Sequence, residues 1–256
     1  MQYGKFASIY DELMKDVDYD AWADYVDGFI PAGCSILECA CGTGEISIRL
    51  AAKGHAVFAS DISEDMLMIA AEKQRKAGLA SAKLRFLRMD MRDAALHKKV
   101  DCIVSCCDGV NYLSSLEDVK AFFASASALL KPGGTLLFDI SSRHKLKDIL
   151  GDNCFIERGN EAAYMWQNVY DDESKLIRMD LTFFKKCGEL YERFDETHFQ
   201  RAHSVDELAD LLDESGFDPL AFGFLTRKQP NESDERIQFF AVKRQTHIIN
   251  DKDVRI

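Results

Sequence analysis

Apolar residues along the first half of this chain follow two alternating rhythms. Short runs rich in Val, Ile, Leu, Phe and Cys fall at 34–39, 55–60, 84–89, 100–106 and 134–140, while 45–52, 63–76 and 116–130 carry apolar residues at spacings of three and four. Strand-length runs alternating with helical patterns predict a parallel sheet covered by helices. Ser114 followed by Glu117 predicts the cap of helix 116–130: the hydroxyl accepts from the backbone and the glutamate reaches back. Lys131-Pro132-Gly133-Gly134 ends that helix, since proline cannot continue it and glycine supplies the turn. Ahead of the sheet, Tyr19, Trp22, Val26, Phe29 and Ile30 share one helical face and predict a leading helix on the core. Residues 1–18 are rich in aromatics without a clear period.

After the fifth run the period changes to two. Ile177, Met179, Leu181 and Phe183 alternate with Arg178, Asp180 and Thr182, and turn residues stand at 171–174 and 187–189. This predicts an antiparallel sheet with one buried face, inserted between about 151 and 203 as a lid. The earlier rhythm then resumes. Ser204-Val205-Asp206-Glu207 reads as a capping box opening a helix to Ser215, followed by Gly216, a strand at 217–225, a polar loop and a last strand at 235–243. Two strands with no helix between them must form an antiparallel hairpin. The expected architecture is α/β: a seven-stranded, mostly parallel sheet with a C-terminal antiparallel hairpin, plus the inserted β lid. Residues 1–150 and 204–244 form the main domain, with 1–32 as its N-terminal cap, 151–203 as the lid and 245–256 as a tail.

Composition narrows the partners. A chain of 256 residues, 47% hydrophobic, can fill one core with an elaboration. Its 43 acidic residues outnumber 32 basic ones, for a net charge of -11, and no basic run is long enough for a polyanion arm. Nucleic acid is therefore not favoured as a partner, because non-specific affinity for it comes from cationic contacts to phosphate. The N-terminal stretch meets Asp11 and Glu12 early, unlike a signal peptide, and no later window approaches the roughly 20 apolar residues that span a bilayer. A cytoplasmic protein without a membrane partner is expected. The eight cysteines form no Cys-x-x-Cys pair and read as core thiols, so no metal site is expected. The sequence sets no oligomeric state.

The chemical signal lies in Ile36-Leu37-Glu38-Cys39-Ala40-Cys41-Gly42-Thr43-Gly44-Glu45, a strand, a glycine-bearing turn and a helix start. Gly42 and Gly44 remove side chains where backbone approaches a ligand, at the carboxyl end of the first parallel strand. Dinucleotide-binding enzymes would need a third glycine where Ser47 stands, so that motif fails. Asp61 follows the second strand and can accept hydrogen bonds from both hydroxyls of a ribose. Asp90-Met91 follows the third strand, and Met66 offers a soft apolar surface to a ring.

The turn resembles the first motif of class I S-adenosylmethionine-dependent methyltransferases, with Ala40 standing where that motif usually has its first glycine. The resemblance implies a Rossmann-like domain over about 33–140 and 204–243, with S-adenosylmethionine as cofactor and S-adenosylhomocysteine as product. It further implies that Glu38, Cys39, Ala40, Gly42 and Gly44 surround the cofactor, and that Asp61 with Ile62 binds the ribose. Met66, Asp90 and Met91 would then hold the adenine, and Cys107 with Asp108 the methionine part. Phe6-Ala7-Ser8-Ile9-Tyr10-Asp11-Glu12, Asp18-Tyr19-Asp20-Ala21-Trp22 and Tyr191-Glu192-Arg193-Phe194-Asp195-Glu196-Thr197-His198 resemble the YqeM-like group of bacterial methyltransferases. In that group Tyr3, Tyr10 and Trp22 would border the cofactor.

Methyl transfer from a sulfonium is an in-line displacement, in which holding nucleophile, carbon and sulfur in line can supply about 7–11 kcal/mol by proximity. A general base is needed only for an acceptor that arrives protonated. Asp108, His198 and His203 are the candidate bases, with Tyr112 facing the acceptor and Arg201 or Arg193 able to clamp an anionic group. Three readings stay open. The first is a methyltransferase for a small-molecule substrate under the lid; the second acts on a modified RNA nucleotide or protein side chain; the third is a non-catalytic S-adenosylmethionine sensor.

Overall fold

The computed structural model describes residues 4–159 and 162–245. β1 (Ser35–Cys39), β2 (Ala56–Asp61), β3 (Leu84–Arg88), β4 (Val100–Ser105) and β5 (Leu130–Ser141) pair in parallel. Their crossovers include α3 (Glu45–Ala52), α4 (Glu64–Lys76) and α5 (Leu116–Leu129). After α6 (Val205–Glu214), β10 (Phe217–Gly223) and β11 (Arg236–Lys243) close the sheet as an antiparallel hairpin against β5. The order is β10-β11-β5-β4-β1-β2-β3. The chain therefore reverses direction across the sheet between β1 and β4, and such a switch opens a crevice at the carboxyl ends of those strands.

Both faces of this sheet are buried. Leu37, Ile103 and Leu136 pack on one side with Phe123, Leu208 and Phe239. Ile36, Val57 and Val104 pack on the other with Leu50 and with Trp22 and Val26 of α2 (Tyr19–Asp27). A strand buried on two faces reads as a continuous apolar run, which is why these strands were legible. The capping box of α6 is complete: the Ser204 side chain accepts from the Glu207 amide, and the Glu207 side chain accepts from the Ser204 amide.

Three local expectations are corrected. The cap of α5 is Ser115, which accepts from the Asp118 amide at 3.1 Å, because an adjacent Ser-Ser pair with acids three residues on offers two equivalent frames. Lys131-Pro132-Gly133-Gly134 lies inside β5 rather than before it, absorbed by a register shift against β4 between Val100 and Cys102. The N-terminal segment is not aperiodic: α1 (Gly4–Leu13) places Phe6, Ile9, Tyr10 and Leu13 at helical spacing. Of the cysteines, Cys107 is half-buried and Cys154 and Cys187 are exposed at strand ends, so the last two are not core thiols.

β6 (Cys154–Arg158), β7 (Ala162–Asp171), β8 (Leu176–Cys187) and β9 (Leu190–Arg201) form a separate antiparallel sheet in that order. Its inner face is covered at two places. A π-helical turn (His144–Leu150) sets Leu146 and Leu150 against Ile177 and Met179, and α1 sets Ile9 against Phe183 and Phe194. The Tyr3 assignment and residues 246–256 of the expected tail lie outside the described residues.

Candidate active site

The turn after β1 alternates left-handed residues, Ala40 at φ 54°, Gly42 at φ 52° and Gly44 at φ 80°. Ala40 keeps this conformation although it carries a side chain, at a cost of about 1–2 kcal/mol. Its methyl fits because Gly109 stands opposite, where an added Cβ would lie 2.9 Å from the Ala40 Cβ. Gly44 serves packing: a Cβ there would lie 2.9 Å from the Phe86 ring.

Asp61, at the end of β2, ties this turn down. One carboxylate oxygen accepts from the Gly42 amide and the other from the Ser63 amide, both at 2.9 Å. Burial raises its pKa while these amides oppose the rise. Asp61 lines a cleft of about 320 Å³, large enough for a nucleoside. Ten of the expected residues line this cleft: Tyr10, Ala40, Gly42, Asp61, Ile62, Met66, Asp90, Met91, Cys107 and Tyr112. Asp90 is pinned by Arg92, whose hydrogen bonds lower its pKa, and Arg92 also pairs with Asp118 at 2.8 Å.

Glu38 lies in a narrow extension of the cleft that shares Tyr10, Ala40, Gly42 and Cys107 with the main space. Its carboxyl meets the Ser47 hydroxyl, and burial pushes its pKa up to about 8. Sequence reasoning missed Phe6, Met89, Arg92, Gly109 and Leu113 of the main cleft and Tyr19 and Thr43 of the extension. The helical spacing of Phe6 with Ile9, Tyr10 and Leu13 was the available signal for Phe6.

α1 roofs the cleft and is latched there. The Thr43 hydroxyl donates to Asp11 at 2.7 Å, and Lys73 of α4 pairs with Asp11 and with Glu45, each at 2.6 Å. Trp22 sits elsewhere, buried in the core edge-on to Phe224 at 5.3 Å, because the apolar face of α2 is its docking face. Cys39 and Gly44 are also outside the cleft lining.

The turn after β4 places Cys107 (φ 61°) and Asp108 (φ 57°) in consecutive left-handed conformations. Asp108 is held rather than open: Arg236 pairs with it at 2.7 Å and Gln200 of β9 donates to it at 2.9 Å. Arg236 also meets Asp139, whose carboxylate accepts from the Asp108 amide at 3.0 Å. Burial pushes the Asp139 pKa up to about 6; it works against the Arg236 charge too, yet Asp108 and Asp139 hold that guanidinium charged. On the same side, the Tyr112 hydroxyl lies 3.5 Å from Nδ1 of His198. His198 is buried, which lowers its pKa, and the Phe6 ring stands 5.1 Å away. Arg201 faces away from this space, paired with Glu207 and 2.7 Å from Nδ1 of His203, so it anchors the start of α6. Arg193 pairs with Asp195 at 3.0 Å.

Residues 36–134 match a protein-family profile described as a methyltransferase domain. The methyltransferase-family protein YqeM of Bacillus subtilis (strain 168) is 40% identical over 248 residues, spanning 96% of this chain and 99% of that protein. The chain belongs to the YqeM-like S-adenosylmethionine-dependent methyltransferases. A crystal structure of an S-adenosylmethionine-dependent methyltransferase from Clostridium acetobutylicum ATCC 824 superposes on this methyltransferase with a TM-score of 0.84 at 34% identity, covering 94% of this chain and 99% of that one. A dTDP-3-amino-3,4,6-trideoxy-alpha-D-glucopyranose N,N-dimethyltransferase of Streptomyces venezuelae is 32% identical over 139 residues, 52% of this chain and 56% of that enzyme. The lining of this methyltransferase suits its cofactor: a carboxylate at a strand tip, a wall bare of side chain at Gly42, and methionine thioethers beside them. Among the described residues, no helix is long and apolar enough to cross a membrane.

Proposed function

We propose that this methyltransferase transfers the methyl group of S-adenosylmethionine to a small molecule held between the turn after β4 and the inner face of β9. The observation that carries this reading is the way the second sheet and α1 border that end of the cleft. Tyr112 and His198 meet across it, Phe6 of α1 covers it, and Gln200 bridges the two sheets through Asp108. A site bordered in this way and engaged in its own ion pairs suits a small acceptor, whereas a nucleic acid would need a basic rim. The sugar-directed name of the Streptomyces relative points the same way.

In this reading residues 151–203 act as the lid of the domain formed by 1–150 and 204–244. Asp61 holds the ribose hydroxyls, Asp90 and Met91 hold the adenine with Met66 on its face, and Glu38 faces the cationic methionine end. The cofactor supplies an electrophilic methyl carbon on a sulfonium. The protein keeps the acceptor in line with that carbon and excludes water, with Tyr112 and His198 placed to take a proton from the acceptor. Free thiols at all eight cysteines suit the reducing cytoplasm.

The test is label transfer from methyl-labelled S-adenosylmethionine into fractionated cell extract. Label in the small-molecule fraction is expected. Label confined to RNA or protein would sink the small-molecule acceptor, and cofactor binding with no transfer at all would indicate a sensor.

A further inference from the structure

The acceptor side of the site is selective in its charge and in its proton acceptors. Around it the cations of the described residues are already engaged: Arg236 with Asp108 and Asp139, Arg92 with Asp90 and Asp118, Arg201 with Glu207, and Lys73 with Asp11 and Glu45. Lys145 is half-buried, and burial, with the nearby Arg236 charge, lowers its pKa against the opposing pull of Asp108 and Asp139. An anionic acceptor would thus meet carboxylates with only Lys145, its charge disfavoured by burial, to receive it. β9 adds polar groups on one face, because residues two apart in a strand point the same way. Gln200, His198 and Glu196 fall in that row, with Gln200 bound to Asp108 at the turn after β4 and His198 beside Tyr112. Glu196 is half-buried, and burial raises its pKa, so a cation brought beside it favours its ionised form.

We propose that the acceptor atom is an amine nitrogen of a small polar molecule, presented to the donor methyl beside Tyr112 and His198, with Glu196 receiving the cationic form of that molecule. This rests on the methyltransferase reading above. The bound ammonium first loses a proton to the Tyr112 oxygen as the Tyr112 hydroxyl passes its own to Nδ1 of His198, and the imidazolium later returns it to solvent. The freed nitrogen lone pair then forms the new bond to carbon while the carbon–sulfur pair returns to sulfur, leaving a neutral thioether and an N-methylated ammonium that departs with its charge.

Other acceptor atoms fit less well. A buried, neutral imidazole with a lowered pKa accepts a proton from an ammonium far more readily than it ionises an alcohol. A thiolate would bring negative charge into the carboxylate-lined side. The aromatic walls at Phe6, Tyr10 and Tyr112 favour a cation over their faces.

The experiment supplies the full chain with methyl-13C S-adenosylmethionine and the small-molecule fraction of a cell extract, and identifies by carbon NMR the atom bonded to the labelled methyl. One half of the extract is first acetylated and then treated with hydroxylamine, which restores hydroxyls and thiols but leaves amines blocked. The expected result is an N-methyl product whose yield falls at least tenfold in the blocked half. A methyl on oxygen, sulfur or carbon, or a yield indifferent to blocking, overturns the amine assignment while leaving the methyltransferase reading in place. Transfer into neither half, with calorimetric binding of the cofactor intact, overturns both. With the product in hand, Glu196→Gln is expected to raise KM for the amine severalfold at unchanged cofactor Kd, whereas Tyr112→Phe lowers kcat with little change in KM. A Glu196→Gln enzyme with unaltered KM would remove that carboxylate from the proposal.

Discussion

The two sheets of this methyltransferase carry their polar groups in opposite ways. In the seven-stranded sheet both faces are apolar, and the chemistry sits at strand tips: Glu38 near the end of β1, Asp61 at the end of β2, Asp90 just past β3 and Asp108 just past β4. In the four-stranded sheet the polar groups lie within β9, on the face turned inward, as His198 and Gln200 do. A strand tip is fixed by backbone alone, so a ligand site there survives wide change in the helices. A site on a strand face depends on what packs over it, here α1 and the turn after β4. The first arrangement suits a cofactor shared by many enzymes, and the second suits an acceptor that differs between them.

The junction between the two sheets offers the strongest way to break this division. Arg236 of β11 neutralises Asp108 and Asp139, and Gln200 of β9 reaches the same Asp108. Removing one partner of a buried ion pair typically costs about 3–5 kcal/mol, because the other charge is left uncompensated. Arg236→Met is therefore expected to lower unfolding free energy by about that amount, read by urea denaturation. A loss below about 1 kcal/mol would show that solvent already reaches the two aspartates. Asp139 sets the sign of the pH dependence: a folded pKa near 6 lies above the usual carboxylate value, so its contribution is greatest in acid and is lost as pH rises through 6. Asp139→Asn should flatten that part of the stability profile.

The tip of β2 gives the next largest effect. Asp61→Ala removes the acceptor of the Gly42 and Ser63 amides and of the proposed ribose hydroxyls. With charged hydrogen bonds worth about 1.5–3 kcal/mol each, cofactor binding should weaken at least tenfold by calorimetry. Gln200→Leu should leave that Kd nearly unchanged. If both variants bind the cofactor alike, the separation into cofactor tips and acceptor face is wrong.

Legibility in the sequence followed the same division. Asp61 and Asp90 are legible at strand tips because a strand-to-helix boundary marks a tip, and the Ser204 and Glu207 box marks α6 in the same way. Arg201 is not. The period of β9 assigns a residue to a face but does not name its neighbour, and Glu207 six residues later takes the guanidinium. Trp22 shows the converse problem, since an aromatic on an amphipathic helix fits a cofactor wall or a core equally well until Phe224 is seen against it. α1 escaped although Phe6, Ile9, Tyr10 and Leu13 keep a helical spacing, because it has no capping signal of the kind that Ser204 and Glu207 give α6.

Glu38 sharpens the comparison through protons. With its pKa near 8 it is largely protonated in the free protein at neutral pH. A sulfonium or ammonium placed beside it favours the carboxylate, so binding at the β1 tip should expel a proton below pH 8. Cofactor affinity should then rise with pH up to about 8 and level off above it. A pKa lowered by one unit on binding corresponds to about 1.4 kcal/mol across that window. Calorimetry in two buffers of different ionisation enthalpy reads the proton directly, and identical heats would place the cation away from Glu38. Glu38→Gln should abolish the buffer dependence.

The smallest effect tests whether the two sheets act separately at all, because α1 touches both. Ile9 packs on Phe183 and Phe194 of the second sheet, while Asp11 is latched to Thr43 and Lys73 at the cofactor turn of the first. The latch is partly exposed, with Asp11 at 41% and Lys73 at 22% side-chain accessibility, so it should add no more than about 1 kcal/mol to stability. Its importance would be kinetic: a roof held by an ion pair and one hydroxyl must lift for the product to leave. Asp11→Ala is expected to speed S-adenosylhomocysteine release severalfold in a stopped-flow displacement, with urea stability nearly unchanged. Should release stay at the parent rate, the apolar contacts of Phe6 and Ile9 alone hold the roof, and α1 belongs with the acceptor sheet rather than with the cofactor site.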